Sequence, residues 1–301
     1  MTASEAETAS HEKLTRFDQL DAVLAVLVRG VRERLGGNFV GAYLQGSFAI
    51  GDADAGSDCD FIVAIRHDLT SGEIRELDGL HEAIHRLPYL PWRHRLEGSY
   101  APLDALRRWM PEPREPPGAA PRGPDWLDEG TGTRGPRGYP FVYLNHGARS
   151  LVRSEHDDTQ VVRWSLREKG SVLVGPDPRN LVDPVSPAEL SAEMGRIAAL
   201  CLAVDLQPME RVCDQTFWVG LFCRILHTTV TGSIASKKAS AAWAADALDQ
   251  RLRGLIERSL AARSLPEDQR ISRADPGDVV ATRQFIAHVV GRLEALAGPI
   301  R

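Results

Sequence analysis

The chain has 301 residues, 43% of them hydrophobic and 26% charged, with a formal net charge of −5. That is the make-up of an ordinary globular protein with length enough for two domains, and its mild acid surplus lacks the basic footprint of a nucleic-acid binder while suiting a cationic small ligand. Four cysteines without a CxxC pair (Cys59, Cys201, Cys213, Cys223), a first segment MTASEAETASHEK with no apolar core, and no run of spanning length argue for reduced thiols over a disulfide framework, and the expectation is a chain with no signal peptide and no membrane helix. A cytoplasmic, monomeric protein with no membrane or nucleic-acid partner is the expectation.

Residues 1–14 form a loose tail. Apolar residues at helical spacing predict a helix over 17–37, closed by Gly36 and Gly37. Strands follow at 39–45 and 60–65. Residues 70–87 open with Thr70 and Glu73 in capping-box spacing and stop at Pro88, which predicts a helix. A shorter strand is expected at 94–103. Eight prolines and six glycines within residues 111–140 mark an irregular insertion. A helix at 157–170 leads into SVLVGPDPRNLVDPV, a strand and a turn. Ser186, Pro187 and Glu189 then open a helical region, with helices near 187–205, 208–231, 236–250, 251–264 and 276–297. The expected fold is α+β: an N-terminal mixed sheet with helices over 15–184, then an all-α bundle over 186–301.

The stretch GSFAIGDADAGSDCDFIVAI, residues 46–65, carries the chemistry. Alternate side chains on a strand share a face, so Asp58 and Asp60 point one way and Cys59 the other. Two carboxylates so placed raise each other's pKa unless a cation sits between them. Mg²⁺ takes one or two protein carboxylates and completes its shell with water and phosphate oxygens. Ahead of them, a side-chain-free turn at Gly46 with the Ser47 hydroxyl lets backbone N–H groups approach a phosphate. The segment thus reads as a triphosphate and metal site.

The stretch resembles the nucleotidyltransferase signature of the polymerase-β-like superfamily, with Gly46-Ser47, Gly51, Ser57-Asp58, Asp60 and Val63 filling its positions. That resemblance implies a third carboxylate on a neighbouring strand, and Glu97 in RHRLEGSY sits where one is expected, as general base or metal ligand. Most of the chain further resembles the aminoglycoside adenylyltransferases of the streptomycin/spectinomycin type. SVLVGPDPRNLVDPVSPAEL is similar to that family's crossing between domains, and residues 220–243 to its helix–loop–helix nucleotide clamp. The resemblance implies ATP as co-substrate and two Mg²⁺ ions ~4 Å apart held by Asp58, Asp60 and Glu97. It places Arg224 and Lys237 on the ATP phosphates, beside Lys238, which competes for the same role. Gly46, Ser47, Ser57 and Asp158 would lie near the nucleotide. A small, aminated, hydroxylated acceptor would face Asp214, with Glu210 and Asp205 adding acid. Departures concern the acceptor side: the insertion is longer, no tryptophan precedes Asp214, and Arg263 stands where a tyrosine is expected.

The implied reaction is AMP transfer from ATP to an acceptor hydroxyl. Glu97 would take the proton, and pyrophosphate would leave toward Arg224 and Lys237. The alternatives are a nucleotidyltransferase acting on protein or RNA, for which the chain is long, and an ATP-binding regulator, against which the intact carboxylates argue. HEAIH at 81–85 matches the HExxH zinc pattern, but Pro88 cuts that helix short. Two imidazoles on the polar face of an amphipathic helix are the simpler reading. Trp92, Tyr89 and Tyr100 are expected to pack, whereas Trp109 or Trp126 could stack on a sugar or adenine.

Overall fold

A computed structural model describes residues 14–53, 57–109, 140–203 and 209–297. The Pro/Gly-rich insertion with Trp126, the N-terminal tail and Asp205 lie outside the described residues, apart from Leu14 and Pro140 at the two edges. Six strands form one sheet in the order β5-β4-β3-β2-β1-β6. They are β1 (Phe39–Leu44), β2 (Cys59–Ile65), β3 (Leu96–Pro102), β4 (Phe141–Leu144), β5 (Val152–Ser154) and β6 (Ser171–Val174). Only β2 and β3 run parallel; the other pairs are antiparallel. The mixed sheet expected from the sequence is therefore present.

The sheet's two faces follow from side-chain alternation. Cys59, Phe61, Val63 and Ile65 of β2 join one core, beneath α1 (Asp18–Leu35) and α3 (Ser71–His85). Helix α1 buries Leu20, Val23, Leu24, Leu27 and Val31, a stripe at three- and four-residue spacing. Helix α3 starts as its sequence requires: the Glu73 N–H donates to Thr70 Oγ1 at 3.2 Å, and Thr70 N–H to Glu73 Oε2 at 2.8 Å. Ile62 and Ala64 face the opposite core with Tyr43, Phe141 and Leu166. Asp60 has the parity of Ile62, so it opens onto that second face.

Two short helices, α2 (Gly46–Ile50) and α4 (Leu103–Arg107), and strands β4 and β5 were not anticipated from the sequence. β4 is a four-residue apolar run, FVYL, with every residue buried; too short to show a period, it gains its place by pairing with β3. Helix α5 (Gln160–Lys169) begins after the Thr159 cap, whose hydroxyl accepts from the Val162 N–H at 3.1 Å. It joins the two halves of the molecule. Val162 packs on the sheet-side core, and Val161 packs on the helical core beyond.

From Pro187 onward the described residues are helical apart from a few turns and one isolated β-bridge. The helices are α6 (Pro187–Ala203), α7 (Val212–Thr231), α8 (Lys237–Ala247), α9 (Gln250–Ala262), α10 (Glu267–Arg270) and α11 (Pro276–Ala297). Trp218, Phe222, Ile225 and Leu226 of α7 meet Phe285, Val289 and Leu293 of α11, the latter three at intervals of four. Helix α7 starts at Val212, not 208. The backbone at Arg211 is extended and bridges to Arg273, and the Val212 N–H donates to the Ser272 carbonyl at 3.1 Å.

The HExxH reading fails in space, and the polar-face reading is corrected for one of its histidines. His81 is 2% exposed, with Nε2 2.9 Å from the Tyr100 hydroxyl. His85 instead stacks on His94, with ring centroids 4.0 Å apart. Burial, with Arg34 nearby, lowers the His81 pKa to about 3, so the ring is neutral in the fold and charges on unfolding. Stability is therefore lost as pH falls from about 6.5 toward 3. His81→Leu leaves the Tyr100 hydroxyl without this partner, costing about 1–3 kcal/mol at pH 7. Thermal unfolding should show this loss and a shallower decline of stability between pH 6.5 and 4; an unchanged slope would contradict the assignment.

Candidate active site

The parallel register of β2 and β3 sets Asp60 directly beside Glu97. Their side chains share the face that opens toward α5 and the helical half. Asp58 stands two residues ahead of Asp60, just before β2 begins, and is nearly half exposed. The expected strand-edge carboxylates are thus assembled by pairing, and Glu97 lies on the neighbouring strand as anticipated.

Gly46 makes room for this arrangement. It opens α2 with φ +59°, and a Cβ there would lie 1.8 Å from Asp60 Oδ2. The residue is glycine because the Asp60 carboxylate packs against its Cα and because the backbone is left-handed. Gln45 reinforces the junction, its N–H donating to the Asp60 carbonyl at 2.9 Å. Ser47 follows on the same short helix, half-buried. The Ser57 carbonyl accepts from the Arg95 guanidinium at 3.5 Å.

The carboxylates are crowded, with His146 beside Asp58 and His156 beside Glu97 as their nearest basic neighbours among the described residues. Burial, then Glu97, Asp157 and Asp58, push the Asp60 carboxyl up to about 8, against a smaller opposing pull from Lys237. Glu97 is also raised, chiefly by burial, against the hydrogen bond from Tyr143 and the charge of His156. This is the donor set of a hard divalent cation: oxygen ligands, excess negative charge and partial access to water. Asp58, Asp60 and Glu97 therefore fit Mg²⁺ or a similar ion.

Sequence reasoning missed the support of Glu97. Tyr143 pairs with Ser99 across β3 and β4, and so shares the face of Glu97. Its hydroxyl donates to Glu97 Oε1. His156 stacks on the Tyr143 ring at 4.5 Å, with Nε2 3.7 Å from Glu97 Oε1 and Nδ1 3.2 Å from Asp157 Oδ1. Burial opposes charge on His156, but Asp157, Glu97 and Asp60 outweigh it and raise its pKa to about 9. The Asp157 carboxylate is buried and also accepts from Ser99 Oγ at 2.7 Å and Gln45 Nε2 at 3.4 Å. The one signal in the sequence was the run His156-Asp157-Asp158, in which only Asp158 was singled out.

Asp158 is occupied elsewhere. The guanidinium of the buried Arg163 bonds its Oδ1 at 2.7 Å, so it is Asp157 that faces the cluster. Asp214 is half-buried and caps α7: its Oδ2 accepts from the Arg211 N–H at 2.8 Å, and the Cys213 thiol lies 3.6 Å from Oδ1. Glu210 is exposed and lines a cavity of about 660 Å³ with Met209, Arg211, Arg273 and Arg283. Trp92 and Tyr100 are buried in the core, and Tyr89 packs against it.

Across from the carboxylates stand cations from the helical half. Arg224 on α7 is half-buried and within electrostatic reach of Asp60; burial lowers its pKa, and Arg263 at the end of α9 adds to that. Lys237 opens α8. Although exposed as a residue, it is lowered by desolvation and by Arg224 and Arg263, while Asp60 and Asp58 favour its charge. Among the described residues none of these three cations forms an ion pair. Arg263, noted in the sequence only as a departure, is thus a third member of the positive wall.

Comparison with known proteins bears on the C-terminal segment and on the fold. Residues 180–288 match the family described as the C-terminal domain of aminoglycoside adenylyltransferases. Over 141 residues, 47% of this chain and 50% of the relative, the sequence is 28% identical to aminoglycoside (3'')(9) adenylyltransferases of Klebsiella pneumoniae and Shigella flexneri. A relative from Escherichia coli is 29% identical over 142 residues. The chain spans about half the length of the curated relatives it matches. A spectinomycin adenyltransferase from Enterococcus faecialis, solved with ATP and spectinomycin, superimposes with a TM-score of 0.59 over 91% of this chain and 98% of that one, at 16% identity. That likeness is one of fold, and it reaches beyond the matched C-terminal segment. The chain is thus similar to aminoglycoside adenylyltransferases in its C-terminal segment and shares its overall fold with the solved adenyltransferase.

Proposed function

We propose that the protein transfers AMP from ATP to a hydroxyl of a small aminated acceptor of the aminoglycoside or aminocyclitol type. The observation that carries this reading is the opposition of two charged walls. Asp58, Asp60 and Glu97 crowd one side, and Arg224, Lys237 and Arg263, without an ion pair among the described residues, stand on the other. A polyphosphate with its divalent cations complements both walls at once.

Asp58, Asp60 and Glu97 would hold the Mg²⁺ ions, which when bound neutralise phosphate charge and lower the pKa of a coordinated hydroxyl. Gly46 and Ser47 bring backbone N–H groups and a hydroxyl to the phosphates, with Ser57 beside them. Tyr143 occupies Glu97 Oε1, leaving Oε2 to accept the proton of the acceptor hydroxyl. The acceptor oxygen bonds to the α-phosphorus, the bond to the bridging oxygen breaks, and the departing pyrophosphate takes its charge toward Arg224 and Lys237. Fixed cations placed where that charge grows lower the barrier without reorganisation. On the acceptor side, Glu210 and the lone pairs of Asp214 left over from capping offer acid to ammonium groups; Asp205 belongs to the same proposal. Asp158, paired with Arg163, would stay near the nucleotide just before α5. Access between the walls would require the helical half to move away from the sheet for exchange of nucleotide.

The test is incubation with ATP, Mg²⁺ and either spectinomycin or streptomycin, read by mass spectrometry. A mass gain of one AMP on the acceptor, with pyrophosphate released, is the expected result; no gain on either, with ATP bound, would remove the aminoglycoside class. Glu97→Gln should retain ATP affinity and lose about 100-fold or more in turnover, the scale of a missing general base; equal loss of binding and turnover would make Glu97 a ligand only. Gly46→Ala places a methyl inside the Asp60 carboxylate and should abolish transfer while far-ultraviolet circular dichroism stays unchanged. Wild-type transfer by that variant would contradict the packing described.

A further inference from the structure

The tight triple of ligating groups at the acidic wall is not the one read from the sequence. One ligand atom each from Asp58, Glu97 and His146 lie within 4.8 Å of one another, and Asp60 is outside that group. His146 sits in the turn between β4 and β5, with Nδ1 2.8 Å from Asp58 Oδ1. Ligands about 2.1 Å from a common ion stand roughly 3–4.2 Å apart, so small side-chain rotations would bring this triple onto one centre. His146 and Asp58 are each nearly half exposed, which leaves coordination positions open to water or phosphate oxygens.

We propose that His146 is a direct ligand of the divalent cation held by Asp58 and Glu97, making this a mixed nitrogen–oxygen site that prefers Mn²⁺ over Mg²⁺. This rests on the reading of the carboxylates as a metal site. An imidazole nitrogen adds affinity for transition metals and little for Mg²⁺, which demands oxygen donors. Asp60, seated against Gly46, then serves as the inner carboxylate, and His146 as the outer ligand that closes the site from the sheet edge. The position is also consistent with the neighbouring geometry. Asn145 Oδ1 accepts from the His146 N–H at 2.8 Å, and the Ala148 N–H donates to the Asn145 carbonyl at 2.9 Å. These bonds tie the turn down and hold His146 over Asp58.

The experiment uses the whole chain and Mn²⁺ alone at pH 7.5. Binding is measured by the loss of free-ion electron paramagnetic resonance signal, and nitrogen coupling to bound Mn²⁺ by pulsed spectroscopy. The expected result is nitrogen coupling in the wild type, none in His146→Ala, at least about tenfold weaker Mn²⁺ binding in that variant and little change in Mg²⁺ affinity. Asp58→Asn should lose both ions. Unchanged Mn²⁺ affinity in His146→Ala, or nitrogen coupling that persists there, would overturn the role of His146 while leaving the carboxylate site intact. Failure of the wild type to bind either ion would instead overturn the metal reading, and this inference with it.

Discussion

Like charges crowded at one sheet edge shape this molecule. Asp60 and Glu97 are neighbours because a parallel strand pair fixes them in register, and Gly46 has no side chain because the Asp60 carboxylate takes its space. Burial and three neighbouring carboxylates keep Asp60 far above an ordinary aspartic acid. A sheet evolved only for stability would replace such a residue, since a buried unpaired charge costs several kcal/mol. Retaining it leaves a repulsion that a cation bound there would relieve. On the facing helices, Arg263 disfavours the charge of Arg224, and both arginines disfavour that of Lys237.

The two walls belong to different parts of the fold, and α5 couples them. Its Val162 and Val161 are anchored in the sheet-side and helical cores respectively. Just before it, His156 and Asp157 contribute to the network under Glu97. Its first turn is fixed by the Thr159 cap and by Arg163, which spans from Asp158 to the Ala105 carbonyl. A shift of the helical half would pass through α5 to the residues that support Glu97.

Much of this was legible in the sequence because it depends on local pattern. The stripe of α1, the Thr70–Glu73 box of α3, and the glycines of the GS…SDCD stretch are near neighbours whose spacing states their purpose. Glu97 could be assigned only by resemblance, since the register that sets it beside Asp60 is a long-range property. Tyr143, His146 and His156 escaped for the same reason. They lie on or around β4 and β5, strands of four and three residues that have no period of their own and exist by pairing with β3. The Asp158 and Asp214 assignments rest on resemblance, and local pattern shows neither the Arg163 guanidinium that meets Asp158 nor the α7 cap that Asp214 makes. His81 shows the converse: a zinc-like spacing whose ring is turned into the core by the face of α3 that carries it.

The most direct test of stored repulsion is the thermal unfolding of Asp60→Asn beside the wild type at pH 8.5, first in chelator and then with Mg²⁺ and ATP. Because the folded pKa of Asp60 is raised to about 8, its ionisation weakens the fold progressively above its unfolded value, and the penalty is nearly complete at that pH. The account predicts that the variant unfolds at a higher temperature than the wild type in chelator and gains little from metal and nucleotide, while the wild type gains several degrees. A variant that is less stable in chelator, or that is stabilised by metal and ATP as much as the wild type, would contradict it.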